Sequence, residues 1–460
     1  MTSLDLARWQ FGLTTLLHFA IVGVSIGLTF FVAVMQTRYL RSGDERWLRL
    51  TKYYGRALVV VFAVGVVTGL MQTFQFGMNW AGFSRYVGDV FGAPLALEGL
   101  AAFFVESVFL GLWIFGWDKL RPRVHLACLW IVSVATMLSA YSILVANSWM
   151  QHPVGYEIVD GRAQLTDVSA VLFNLTVGLT AAHVLLASLT TGAVVVLAIA
   201  CWQIARGREV DVFGAVARMA VVIGLAGALG AAGAGHFQGV LALEQQPMKM
   251  AAAEAHYETE APAGLSLFAL GGLSTDPGPP FLNLKLPVAL SFLNSFSLTS
   301  EVRGIEQLQA ESVARYGPGD YTPVVALMYW SFRLMVGSGV LLIALMAWGC
   351  RLAATGRLER SKWFLRAAPL AVAVPFAAQA GGWILREGGR QPWIVEGLLR
   401  TDAASSDVTA LAVASSLGAF LAVYAVIFWT AGRVLRRELS HGLPAVERAP
   451  RRAPELALGY

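Results

Sequence analysis

Charge is what this sequence has least of. Asp, Glu, Lys and Arg make up 14% of its 460 residues, where soluble domains carry about 25%. Hydrophobic residues reach 57% and the mean hydropathy is +0.61. A chain this apolar cannot turn its side chains away from water, which excludes an ordinary soluble enzyme. Cysteine is scarce too. Cys128, Cys201 and Cys350 fall singly inside apolar stretches with no CxxC or metal-ligand spacing, so they read as packing residues and give no redox-compartment signal. No segment repeats, which weighs against transporters built from duplicated halves. The first apolar run lacks a basic lead-in and a small-residue cleavage site and is too long for a secretory signal, so a retained span is expected. The formal charge of +5 does not point to nucleic acid, because the basic residues gather in short loops on one side.

What is present is a series of apolar runs, each long enough to cross a hydrocarbon core of ~30 Å. They fall at about 12–36, 56–76, 95–117, 125–148, 171–203, 214–237, 324–350, 367–386 and 408–433. The fold class expected is therefore an all-α polytopic membrane protein of about nine transmembrane helices. Residues 1–237 would hold helices 1 to 6, 238–322 an extracytoplasmic loop, 323–435 helices 7 to 9 and 436–460 a cytoplasmic tail. The long segment contains Gly271-Gly272 and Asp276-Pro277-Gly278-Pro279-Pro280, and connections of that length between packed spans usually carry function or are disordered. Lys and Arg cluster after the first, third, fifth and seventh spans and in the tail (Arg433, Arg436, Arg437, Arg448, Arg451, Arg452), whereas the long segment is net acidic. Basic loops stay inside, so the N-terminus and the long loop are expected outside and the C-terminus inside.

Ionisable groups at membrane depth are costly and are functional candidates by default. Here they are His18, Glu98, Glu106 and His183, to which Met335 adds itself by position. His18, Glu106, His183 and Met335 each lie about a dozen residues in from the outer end of a span, which at ~1.5 Å per residue puts them in one layer. Glu98 would lie two helical turns nearer the outer surface than Glu106. A His and a Met from separate helices at equal depth suit the axial pair of a low-spin haem, and an isolated His or carboxylate suits a high-spin iron that must bind oxygen. Singly, each residue has a plainer reading: His as a hydrogen bonder between helices, Met as packing, Glu106 as a proton relay. Spacing alone defines a redox or proton-handling membrane protein.

Seven local strings go further: RWQFGLTTLLH (8–18), FQFGMNW (74–80), GAPLALEGLAAFFVES (92–107), LVANSWMQHP (144–153), MKMAAAEAHYETE (248–260), FRLM (332–335) and GRQPW (389–393). In this order they resemble the first subunit of the cytochrome bd-type quinol oxidases, across nearly the whole chain; the final span and tail carry little signature. The resemblance implies three haems: a low-spin haem b, a high-spin haem b and haem d, or a third haem b in its place. His183 and Met335 then look like the axial ligands of the low-spin haem, with Arg333 steadying it. His18 looks like the ligand of haem d, and Trp393 like an aromatic packed between haems. Glu98 and Glu106 resemble carboxylates beside the haem pair and on the proton route, which Ser139 and Asn147 would extend. Glu396 resembles the carboxylate ligand of the high-spin haem b, although it follows the GRQPW tryptophan by three residues where the family pattern has four. Lys249 and Glu254 sit in a string similar to the quinol-binding segment, and the loop resembles the family's short form.

The function so implied is oxidation of quinol at the outer face and reduction of oxygen to water with protons drawn from inside, separating charge without a pump. The partners implied are a second membrane subunit, small single-helix accessory subunits, quinol, oxygen and the lipid of a bacterial cytoplasmic membrane. Two alternatives stay open at this point: a proton-coupled transporter that uses the buried Glu and His residues, and a cyanide-insensitive relative with haem b in place of haem d.

Overall fold

In the computed structural model, residues 1–273 and 280–445 are described. Asp276 to Pro279, and Arg448, Arg451 and Arg452 of the tail, lie outside them. The first two spans begin where capping residues stand. Thr2 and Asp5 exchange side-chain and backbone hydrogen bonds at the start of α1 (Ser3–Ser42), and Asp44 caps α2 (Glu45–Met78). Both use a side-chain oxygen to satisfy a backbone N–H that the first turn leaves free. The third span is α3 (Ala81–Ala96), a π-helical stretch over Leu97–Phe103 and α4 (Phe104–Phe115). Pro94 inside α3 removes a backbone donor, and the helix widens one turn later. Next come α5 (Pro122–Gln151), a hairpin of β1 (Tyr156–Val159) and β2 (Arg162–Leu165), and the short α6 (Val168–Leu172) leading into α7 (Leu175–Ala205). α8 (Val210–Gln245) follows.

The long connection is built rather than slack. It holds α9 (Pro247–Glu254), the hairpin of β3 (Leu265–Leu270) and β4 (Leu282–Leu286), α10 (Ala289–Ser295) and α11 (Ile305–Tyr316). Then come α12 (Val325–Ala354), α13 (Lys362–Leu370) and α14 (Ala373–Gly388), the paired β5 (Trp393–Val395) and β6 (Leu399–Arg400), α15 (Thr401–Ala404) and α16 (Ala410–Ser440). Among the described residues nine helical segments are long and apolar enough to cross a membrane, matching the expected number. The helices outrun the apolar runs, since backbone hydrogen bonding does not stop at the hydrocarbon edge. α8 continues to Gln245, past the expected boundary at 237.

α7 and α8 form the centre: 61% of the apolar window of each is buried, against 11% for α16 and 13% for the third span. α1 lies against α7 through small residues. A Cβ on Gly27 would stand 2.4 Å from the Ser188 carbonyl oxygen, and one on Gly192 would stand 2.5 Å from Gly27. Lipid offers no hydrophobic drive between helices, so backbone approach of this kind supplies the packing. Large apolar side chains such as Phe74, Phe104, Phe115, Leu411 and Trp429 remain exposed, as lipid- or subunit-facing surfaces require.

Candidate functional site

His18 and His183 stand on two helices, α1 and α7, that pack against each other. His18 on α1 places Nδ1 2.9 Å from the Thr68 hydroxyl of α2. That hydroxyl already donates to the Val64 carbonyl at 2.8 Å, so it accepts from His18 Nδ1–H. The ring is thereby held with Nε2 free as a ligand, the arrangement by which metal-binding histidines are oriented. His183 on α7 repeats the device, Nδ1 donating to the Ala231 carbonyl of α8 at 2.8 Å. Thr68 and Ala231 were not legible in the sequence, because one is a generic helix residue and the other acts through its backbone.

Glycines clear the space around these ligands. A Cβ on Gly69 would lie 3.2 Å from His18, one on Gly235 3.0 Å from His183, and one on Gly382 2.9 Å from Met335 Sδ. A flat macrocycle needs such clearance, and an imidazole and a thioether are the donors it takes, so the residues fit the haem that the sequence implies. The levels agree as well. Phe19, beside His18, stacks on Trp383 at 5.6 Å between ring centroids, and Trp383 adjoins the Gly382 that abuts Met335. Trp383 is the aromatic at this depth. Trp393, which the resemblance sets between haems, packs on Tyr316 at 4.9 Å and Tyr321 at 5.9 Å.

Glu106 is buried and accepts from Thr136 Oγ1 at 2.5 Å. Glu98 stands on the π-helical stretch with Ser139 as hydrogen-bond partner. That stretch is wound more loosely than an α-helix, so the eight residues from Glu98 to Glu106 make about two turns and leave the two carboxylates within electrostatic reach of each other. Ser139 thus joins the carboxylate pair as expected, while Asn147 goes elsewhere. Its Nδ2 donates to Glu387 at 2.8 Å, and its Oδ1 accepts from Arg386 Nε at 2.5 Å.

Asn147 belongs to a polar cluster under the long segment. Lys249 Nζ donates to the Gln151 and Gln246 side chains, Gln246 Nε2 donates to Glu396 at 2.8 Å, and Arg390 pairs with Glu387. Burial, with Arg386 close by, brings Lys249 down to about 7 against the opposing pull of Glu396 and Glu387. Burial raises the Glu396 carboxyl, with Gln246 and Lys249 working against it. The GRQPW string sits at the centre of this region. A Cβ on Gly389 would meet Lys249 Cγ at 2.5 Å, Arg390 pairs with Glu387, and Gln391 receives a hydrogen bond from Arg8 of the first string at 3.0 Å.

Glu254 lies on the other face of α9. Five residues span ~140° beyond a full turn, so Lys249 and Glu254, expected together, point to different places. Glu254 lines a cleft of about 210 Å³ between α9 and α10, with Pro247, Met250, His256 and Asn294. Among the described residues, the Asn294 Nδ2 has no hydrogen-bond partner. Behind the cleft, Glu254 forms an ion pair of 2.7 Å with Arg333. Arg333 also donates to the Ala253 and Ser266 carbonyls and lies 3.6 Å over the Tyr329 ring. Burial raises the Glu254 carboxyl above its ordinary value, and Arg333 pulls it back. Arg333 is two residues from Met335, so an ion pair links the cleft to the helix that carries the thioether.

Comparison with known proteins agrees with this geometry. Residues 6–443 match the profile of the family described as cytochrome bd terminal oxidase subunit I. The chain is 44% identical over 429 residues to the cytochrome bd ubiquinol oxidase subunit 1 of Bacillus subtilis, covering 93% of this chain and 91% of the relative. It is 34% identical over 479 residues to the cytochrome bd-II ubiquinol oxidase subunit 1 of Escherichia coli, covering 92% and 93%. The structure of bd oxidase from Geobacillus thermodenitrificans superposes with a TM-score of 0.87 at 29% identity, over 96% of this chain and 99% of that one. From its first string to the end of its last span, this chain belongs to the cytochrome bd terminal oxidase subunit I family.

Proposed function

We propose that quinol is oxidised in the cleft between α9 and α10, on the outer side of the membrane, and that the Glu254–Arg333 pair connects this chemistry to the low-spin haem site. Family membership carries the coarser statement: a quinol oxidase subunit of the bacterial cytoplasmic membrane, carrying haem and working beside other subunits. In this reading those subunits are a second membrane subunit, which shares the larger interface, and small single-helix accessory subunits. His183 and Met335 hold the low-spin haem b, with Arg333 beside it. His18 holds haem d, or a third haem b, and Glu396 the high-spin haem b. When bound, the haems supply electron transfer and the reduction of oxygen to water.

The residues supply the rest. Oxidising a quinol releases two protons as well as two electrons. Glu254 lines the cleft, so its carboxylate takes a ring hydroxyl proton as general base, and burial suits it to that task by raising its proton affinity. Arg333 holds the deprotonated carboxylate in place. The observation that carries the reading is that one carboxylate both lines the cleft and is ion-paired two residues from Met335. Glu98 and Glu106, with Ser139 and Thr136, hold protons for oxygen reduction. A transporter has no support from a family match that runs the length of the chain.

Glu254→Gln tests this. Removing one partner of a buried ion pair costs about 3–5 kcal/mol, so the isosteric amide, which still offers Arg333 an oxygen, is the variant of choice. Oxygen consumption with quinol should fall at least tenfold while haem content and oxidation of an artificial electron donor stay normal. In the wild type, quinol activity should decline on the acid side as Glu254 becomes protonated, and the variant should lose that limb. Equal quinol turnover in Glu254→Gln would place the site elsewhere.

A further inference from the structure

A second cleft, of about 430 Å³, opens at the opposite end of the bundle between α1, α2 and α8. It is layered. At its mouth stand Arg38, Arg46 and Arg218, near the end of α1, the start of α2 and two turns into α8. One helical turn deeper the walls are Val34 and Val222, and Val222 is 59% exposed. The spacing explains the layering: Val34 and Arg38, like Arg218 and Val222, are four residues apart, so each pair stacks on one helix face.

The guanidinium donors at the mouth are not all taken. Arg46 is paired with Asp44 at 2.7 Å, and Arg218 is paired with Glu359. Arg38 has no carboxylate at ion-pair distance among the described residues and lies 4.8 Å over the Trp47 ring. Asp211 at the start of α8 acts on Arg46 from beyond ion-pair distance, so Arg38 stays unpaired, and the guanidinium groups of Arg46 and Arg218 retain N–H donors beyond those their carboxylates use. Guanidinium donors suit phosphate oxygens, and basic pockets between helices at the membrane surface are lipid headgroup sites. A soluble anion would use the arginines but leave the apolar walls bare.

We propose that this cleft binds one anionic phospholipid, its phosphate on Arg38, Arg46 and Arg218 and an acyl chain along Val34 and Val222. The site lies far from the quinol cleft and does not depend on it.

The test uses the purified oxidase complex, wild type and Arg38→Gln/Arg218→Gln, in nanodiscs of phosphatidylcholine with or without phosphatidylglycerol. Native mass spectrometry should find a retained phosphatidylglycerol on the wild type at roughly tenfold higher occupancy than on the variant, the scale expected for losing charge-assisted hydrogen bonds. Phosphatidylglycerol should also raise the temperature at which the haem spectrum is lost, in the wild type only. Equal retention in both proteins overturns the proposal. So does equal protection by inorganic phosphate, which would make this a free-anion site, or by phosphatidylcholine alone. If the double variant assembles without haem, Val222→Trp decides, because it fills the acyl path and leaves every charge in place: unchanged retention there also overturns the proposal.

Discussion

At the scale of single residues, the proposed ligands are set by what holds their unused atoms. His18 and His183 each give Nδ1–H to a fixed acceptor, Thr68 and the Ala231 carbonyl, and so present Nε2. Replacing His183 with Ala, or Met335 with Leu, should abolish the low-spin haem band and leave most of the high-spin absorption. Reduced-minus-oxidised spectra of the purified variants read this directly, and a normal low-spin band in either would remove that residue from the ligand set. The sequence revealed the donors because His and Met at one depth in apolar runs are chemically conspicuous. It hid their supports. A backbone carbonyl has no letter, and the glycines that open the pockets, Gly69, Gly235 and Gly382, look like the many others in the chain. Trp393 was legible as a signature residue, but its packing on Tyr316 and Tyr321 depends on how the long segment folds back, which local sequence does not encode.

At the scale of elements, helix geometry decides which side chains act together. α9 is a short helix whose two faces serve two environments, Lys249 toward Gln151, Gln246 and Glu396, and Glu254 toward the cleft. Motif proximity had grouped them, whereas 3.6-residue periodicity separates them. The third span shows the reverse case. Eight residues separate Glu98 from Glu106, and the looser winding over Leu97–Phe103 turns both toward one face, within electrostatic reach of each other. This bears on the high-spin haem ligand, for which Glu396, just past β5, and Glu98, on the π-helical stretch, are the competing carboxylates. Glu396 already accepts from Gln246 and donates its backbone N–H to the Met150 carbonyl at 3.0 Å, so it is fixed in position. Glu396→Ala should remove the high-spin haem b band and Glu98→Ala should spare it. Loss in Glu98→Ala alone would make the three-residue spacing after Trp393 a genuine departure from the family pattern.

At the scale of the whole molecule, the number of spans was legible because hydropathy runs report lipid contact directly. Their packing order was not: α16 carried no signature, and only the structure reveals what it touches. Tyr424 OH accepts from Gln72 at 3.2 Å and lies 3.3 Å from the Thr68 carbonyl, while Ser416 donates to Gln10 at 3.0 Å. Tyr424, 1% exposed, thus closes the wall behind the Thr68 that steadies His18. That contact has a chronology. α1 and α2 are translated first and α16 last among these helices, so through most of synthesis Gln72 faces the bilayer without its phenol, and the His18 pocket stands open on one side. The proposed low-spin haem site, whose residues stand on α7, α8, α12 and α14, is complete earlier. Haem loading should therefore be staged along the ribosome's course. A chain truncated after Asp407, which keeps Glu396 and lacks only α16 and the tail, should still retain low-spin haem and yet hold none at His18, and recovery of normal high-spin haem from such a chain would show that α16 plays no part in closing the pocket.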